Sequence, residues 1–80
     1  MIHKIFKVLD SYYIHIDDQT KLCPLADFIS CYKTHSPIEV IEVRYIPQAR
    51  QGVVVVNCEQ NNAEEMLEEL VTRFIQTYGK

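Results

Sequence analysis

Val53-Val54-Val55-Val56 is followed, after a short polar stretch, by Asn61-Asn62 and then by an uninterrupted segment from Ala63 to Tyr78. In that segment Ala63, Met66, Leu67, Leu70, Val71, Phe74, Ile75 and Tyr78 recur at three- and four-residue spacing, which gathers them on one side of a helix. The valine run carries apolar side chains at both parities, so a strand from Val53 through Cys58 is expected to be buried on both faces and to lie in the middle of a sheet. Asn61 or Asn62 suits the helix N-cap, and Glu64 and Glu65 then fall in the first turn, where carboxylates favour the positive end of the helix dipole. Gly79 suits the C-cap. The outward face reads Glu64, Glu65, Glu68, Glu69, Thr72, Arg73 and Gln76, with Glu69 and Arg73 spaced for an i, i+4 ion pair.

Upstream, Ile38 to Ile46 alternates Ile41, Val43 and Tyr45 with Glu42 and Arg44, the pattern of a half-exposed strand, and Pro47 to Gly52 links it to the valine run. Pro24 suits the first position of a helix over about residues 23 to 34, with Leu25, Phe28, Ile29 and Tyr32 as its apolar stripe. Pro37 turns Ser36 away from helical geometry and ends that helix. Asp17 to Lys21 reads as a turn. Residues 2 to 8 and 12 to 17 form a hairpin. A three-residue loop at Leu9-Asp10-Ser11 would place Phe6, Val8, Tyr12, Ile14 and Ile16 on the core face, with His3, Ile5, Lys7, Tyr13, His15 and Asp17 opposite.

The order is therefore ββαββα. Each helix has one apolar side, so both cover the same sheet face: an α+β two-layer sandwich with a mainly antiparallel four-stranded sheet and its other face open. Eighty residues fit a single small domain, 1–80, and a chain that is 48% hydrophobic with two glycines is expected to fold. A domain this small gains from added burial, so self-association is a natural expectation.

The net charge of -3 disfavours nucleic acid and anionic membrane as partners, although Lys4, Lys7, Arg44 and Arg50 offer a thin basic set. Cys23, Cys31 and Cys58 contain no CxxC pair, which fits reduced thiols in a cytoplasmic setting. Neither a secretory h-region nor a membrane-length apolar stretch is present in the sequence.

Cys23, just before Pro24 at the start of a helix, is the position where dipole and free N–H groups would activate a thiol, with Lys21 two residues away. His3 and His15, placed on one face near Asp17 by the three-residue loop, form a candidate proton-responsive pair with no third metal ligand specified. His35 reads as a cation near the end of the first helix. Asp17-Asp18 lacks the spacing of a calcium loop, and neither phosphate-cradling glycine loops nor nucleophile elbows occur. No metal or cofactor is expected.

The segment Tyr12 to Phe28, with Leu22-Cys23-Pro24-Leu25-Ala26-Asp27-Phe28, and the segment Gly52 to Val71 resemble strand–helix units of the histidine-containing phosphocarrier proteins. In that family the phosphorylated His stands three residues before the helix Pro, and an Arg directly precedes it. Here those places hold Lys21 and Cys23, so the resemblance extends to strand–helix grammar and implies no phosphocarrier activity.

The open sheet face remains. Ile5, Lys7, Tyr13, His15, Glu42 and Arg44 are the expected partner-binding residues, a mixed aromatic and polar set of the kind enriched at interfaces. The expected function is a protein-binding or regulatory module that is not an enzyme. It would act through the open face or an exposed strand edge, with another protein or a second copy as partner. The alternatives are a thiol-based redox enzyme or sensor centred on Cys23, and a weak nucleic-acid-binding protein.

Overall fold

The computed structural model describes residues 2–31, 38–59 and 61–78. The strands are β1 (His3–Val8), β2 (Ser11–Ile16), β3 (Ile38–Ile46) and β4 (Gln51–Cys58), and the helices are α1 (Leu22–Cys31) and α2 (Ala63–Tyr78). The four strands form an antiparallel sheet in the order β1-β2-β4-β3, so the fold is the α+β, ββαββα arrangement read from the sequence.

β4 is central, as its two-parity apolar pattern requires. Val53, Val54, Val55 and Val56 are all buried. Val54, Val56 and Cys58 join Tyr12, Ile14 and Ile16 of β2 beneath the helices. α1 adds Leu22, Leu25, Ala26 and Ile29 to this core, and α2 adds Ala63, Leu67, Val71 and Phe74, with Leu70 also buried. Phe28 and Tyr78 pack edge-on and tilted against Phe74, at ring-centroid distances of 5.7 Å and 5.0 Å.

Gly52 explains how α1 comes so close to the sheet. It lies on the helix side of β4 opposite Ile16 and Tyr45, and a Cβ there would sit 2.7 Å from Leu22 Cδ1. Local signals set the helix starts. Asp18 Oδ1 accepts from Thr20 N at 2.9 Å and from Thr20 Oγ1 at 2.6 Å, capping a 3-10 turn at Gln19–Lys21 that leads directly into α1. These hydrogen bonds hold the Asp18 carboxyl below its ordinary pKa. The helix thus begins one residue earlier than expected. Pro24 is its third residue, still within the first turn, where its missing N–H leaves no partner unsatisfied. The expected extension from residue 32 to 34, and His35, lie outside the described residues. In α2 the Asn62 carbonyl accepts from Met66 N at 2.9 Å, and Arg73 pairs with Glu69 at 2.8 Å. Gly79 also falls outside the described residues.

The hairpin differs from expectation. Val8 pairs with Ser11, Lys7 with Tyr12, Phe6 with Tyr13 and Ile5 with Ile14, leaving a two-residue turn, Leu9-Asp10, in place of a three-residue loop. Leu9 makes this turn at φ 55°, a left-handed conformation for which its sequence gives no glycine or asparagine signal. Removing one loop residue flips every side chain of β1 relative to β2. Ile5 therefore packs against the core, while Phe6 and Val8 turn to the open face and remain about half exposed. Lys7 is tolerated on the helix side because it lies at the sheet rim, where its ammonium sits 5.9 Å from the Tyr12 ring centroid.

Candidate interaction surface

The uncovered face is built in cross-strand rows fixed by the register. One row runs Lys4, His15, Val53, Arg44; the next Phe6, Tyr13, Val55, Glu42; the third Val8, Ser11, Asn57, Glu39. Val53 and Val55 are only 2% and 5% exposed although the helices lie on the other side of the sheet. The side chains of the flanking strands roof them, which gives this face an apolar floor beneath an aromatic and polar layer.

That layer is tied down at several points. Phe6 packs edge-on against His15 at 5.2 Å between ring centroids. His15 Nδ1 lies 3.2 Å from Gln51 Oε1, and Ser11 Oγ donates to Asn57 Oδ1 at 3.0 Å. Arg44 Nε donates to Glu42 Oε1 at 2.7 Å, an interaction that raises the Arg44 pKa and keeps its charge fixed. A cavity of about 290 Å³ is lined by Lys4, Phe6 and His15 together with Ile2 and Gln51.

Of the expected partner-binding residues, the structure brings Tyr13, His15, Glu42 and Arg44 together on this face. It does not bring Ile5 and Lys7, which belong to the helix side for the register reason given above. Lys4, Phe6 and Val8 take their places, and these were missed in the sequence because they carry the parity assigned to the core. The presence of Val53 and Val55 on this face follows directly from alternation along β4.

The expected His3 and His15 pair is separated by the same flip. His3 points to α2, where its Nε2 meets Glu68 Oε1, while His15 stays on the open face. The basic set is dispersed as well: Lys4 is on the open face of one edge strand, Lys7 is on the helix side, Arg44 is engaged by Glu42 on the opposite edge, and Arg50 lies in the β3–β4 turn. Cys23 and Cys31 are exposed on α1 and Cys58 is buried in the core. Among the described residues, no three His, Cys, Asp or Glu side chains gather into a group able to hold a metal ion, and no helix is long and apolar enough to cross a membrane.

In comparisons with known proteins, no family model, no curated protein and no solved structure matches this chain. Its class is therefore stated from its own geometry, as a small α+β module with one sheet face covered by helices and the other presenting an aromatic-polar layer.

Proposed function

We propose that this chain is a protein-binding module without enzymatic activity, and that the open sheet face is its working surface. The observation that carries this reading is the pairing of Phe6 and Val8, 48% and 49% exposed, with a floor of buried valines on the same face. Apolar side chains held on a regular sheet lose little freedom when a partner covers them, so their burial translates efficiently into affinity. Tyr13 and His15 add polar tips to apolar bodies, the composition favoured at interface cores, and Lys4, Glu39, Glu42 and Arg44 form a charged border.

The test is affinity capture followed by mass spectrometry with wild type, Tyr13→Glu, Phe6→Glu and, as a control on the outer face of α2, Glu65→Lys. A partner that is lost with both open-face variants and kept with the control supports the proposal. A partner kept by both open-face variants moves the working surface elsewhere, and the absence of any partner at all refutes the reading.

A further inference from the structure

We propose that the outer edge of β3 is a self-complementary dimerisation seam, whose partner is a second copy of this chain paired antiparallel through a two-fold axis at Val43. The inference rests on the sheet order and on charge, and it shares only Glu42 and Arg44 with the charged border of the open face.

β1 and β3 are the two edges of the sheet, and among the described residues no strand pairs with the outer side of either. Such an edge presents unsatisfied backbone donors and acceptors to any strand that fits. The β3 edge carries three of the protein's exposed large apolar side chains, Ile41, Val43 and Tyr45, at 50%, 39% and 43% exposure. Val43 and Tyr45 pair with Val54 and Gly52 and so stand on the helix side, yet α1 leaves them open. A second copy can therefore approach this edge without displacing a helix.

Charge selects the register. When a strand pairs antiparallel with its own copy and the sheet faces are kept in common, the two-fold passes through a residue, and side chains equally spaced about it come to lie opposite each other. An axis at Val43 places Glu42 opposite the partner copy's Arg44, and Arg44 opposite the partner copy's Glu42, with valine facing valine between them. An axis one residue earlier sets Glu42 against itself, and one residue later sets Arg44 against itself; like charges directly opposite destabilise a pair. The β1 edge has no comparable solution, because its ionisable side chains, His3, Lys4 and Lys7, are all of one sign when charged.

The irregularity between Val40 and Glu42 lies just before this triad, so it limits the length of regular pairing and keeps the seam short. In the resulting dimer the sheet continues from one copy into the other, with both open faces on the same side.

Sedimentation velocity over a protein concentration series up to about 1 mM, the range that detects a weak dimer, tests the proposal with four proteins: wild type, Glu42→Arg, Arg44→Glu and Phe6→Glu, the last on the opposite edge strand of the open face. Wild type and Phe6→Glu are expected to shift from the 9.4 kDa monomer to a dimer as concentration rises. Each charge reversal alone opposes like charges twice in its own dimer and should weaken association roughly tenfold or more.

The deciding sample is an equimolar mixture of Glu42→Arg and Arg44→Glu. The heterodimer restores opposite charges at both places, while the ion pair within each chain stays broken, so recovered association reports the contact between copies alone. Circular dichroism confirms that the variants are folded. The proposal is overturned by a monomer at every concentration, by wild-type association that the reversals leave intact, by a mixture no stronger than its components, or by assemblies larger than a dimer. Loss of association in Phe6→Glu with retention in both reversals would place self-association on the open face and equally overturn the seam.

Discussion

Replacing Gly52 by alanine tests the close approach of α1 to the sheet. The new Cβ would lie 2.7 Å from Leu22 Cδ1, 3.0 Å from Cδ2 and 3.2 Å from Cγ, whereas carbon atoms in favourable contact stand about 3.5–4.0 Å apart. Leu22 is 5% exposed and is the first residue of α1, so the crowding is relieved by turning its side chain away from the core or by lifting the first turn of the helix. Overpacking of this kind costs about 1–3 kcal/mol, and removing a glycine from the unfolded chain returns about 0.4–1 kcal/mol. The expected net loss is about 1 kcal/mol, which lowers the thermal midpoint of a domain this size by roughly 4–8 °C. Urea unfolding of Gly52→Ala, Leu22→Val and the double variant separates this cause from a general effect of alanine in a strand. Valine has no Cδ atoms, so in the double variant the two shortest contacts are gone, and the two losses should fall short of additivity by about 1 kcal/mol. A raised midpoint for Gly52→Ala, or additivity within about 0.5 kcal/mol, would refute the reasoning.

Leu9→Gly should stabilise the protein by about 0.5–1 kcal/mol, since relief of a left-handed leucine is worth about 1–2 kcal/mol and exceeds the entropy cost of glycine. Leu9 is 88% exposed and surrenders little burial, so a lower urea midpoint would contradict this account. Asp18 has a folded-state pKa below its unfolded value, so its contribution is complete above the ordinary aspartate pKa of about 3.9 and is lost as pH falls through the depressed folded value. Between pH 5 and pH 2.5, the unfolding midpoint of wild type should therefore fall further than that of Asp18→Asn; parallel curves would exclude the cap as the cause. Cys23 and Cys31 are exposed and Cys58 is 6% exposed, so alkylation of the folded protein should modify two thiols quickly and the third only at the rate of opening. Uniform reaction of all three would contradict the placement of Cys58.

The parts of the fold that could be read from sequence are those whose burial is nearly complete. In α2 the three-and-four spacing predicts the buried positions Ala63, Leu67, Leu70, Val71 and Phe74; Met66 and Ile75 of the same stripe are partly buried, and Tyr78 is 49% exposed with its ring against Phe74. The two-parity apolar pattern of β4 correctly implies a strand covered on both sides. The β1 register was not legible, because an edge strand is covered on one side only and β1 carries apolar residues at both parities: Ile5 against Phe6 and Val8. Turn chemistry decides such a case, and Leu9-Asp10 adopts a tight turn without the residues that usually announce one. The candidate surface inherits that ambiguity, since its β2 and β3 members were placed correctly and its β1 members were exchanged for their neighbours.

The pairing of β2 with β4 has a consequence for how the chain acquires its structure. Each hairpin closes locally, but the seam between them joins Ser11 to Asn57 across 46 residues and His15 to Gln51 across 36. Long-range closure of this kind costs chain entropy before it yields contacts, and it slows folding. Until β4 has emerged from the ribosome, the first hairpin and α1 have no sheet centre to bind, and Tyr12, Ile14 and Ile16 stand exposed. The valine strand thus gives the first hairpin and α1 their sheet centre, α2 then closes the core over it, and a nascent chain stalled ahead of β4 exposes the most unpartnered apolar surface.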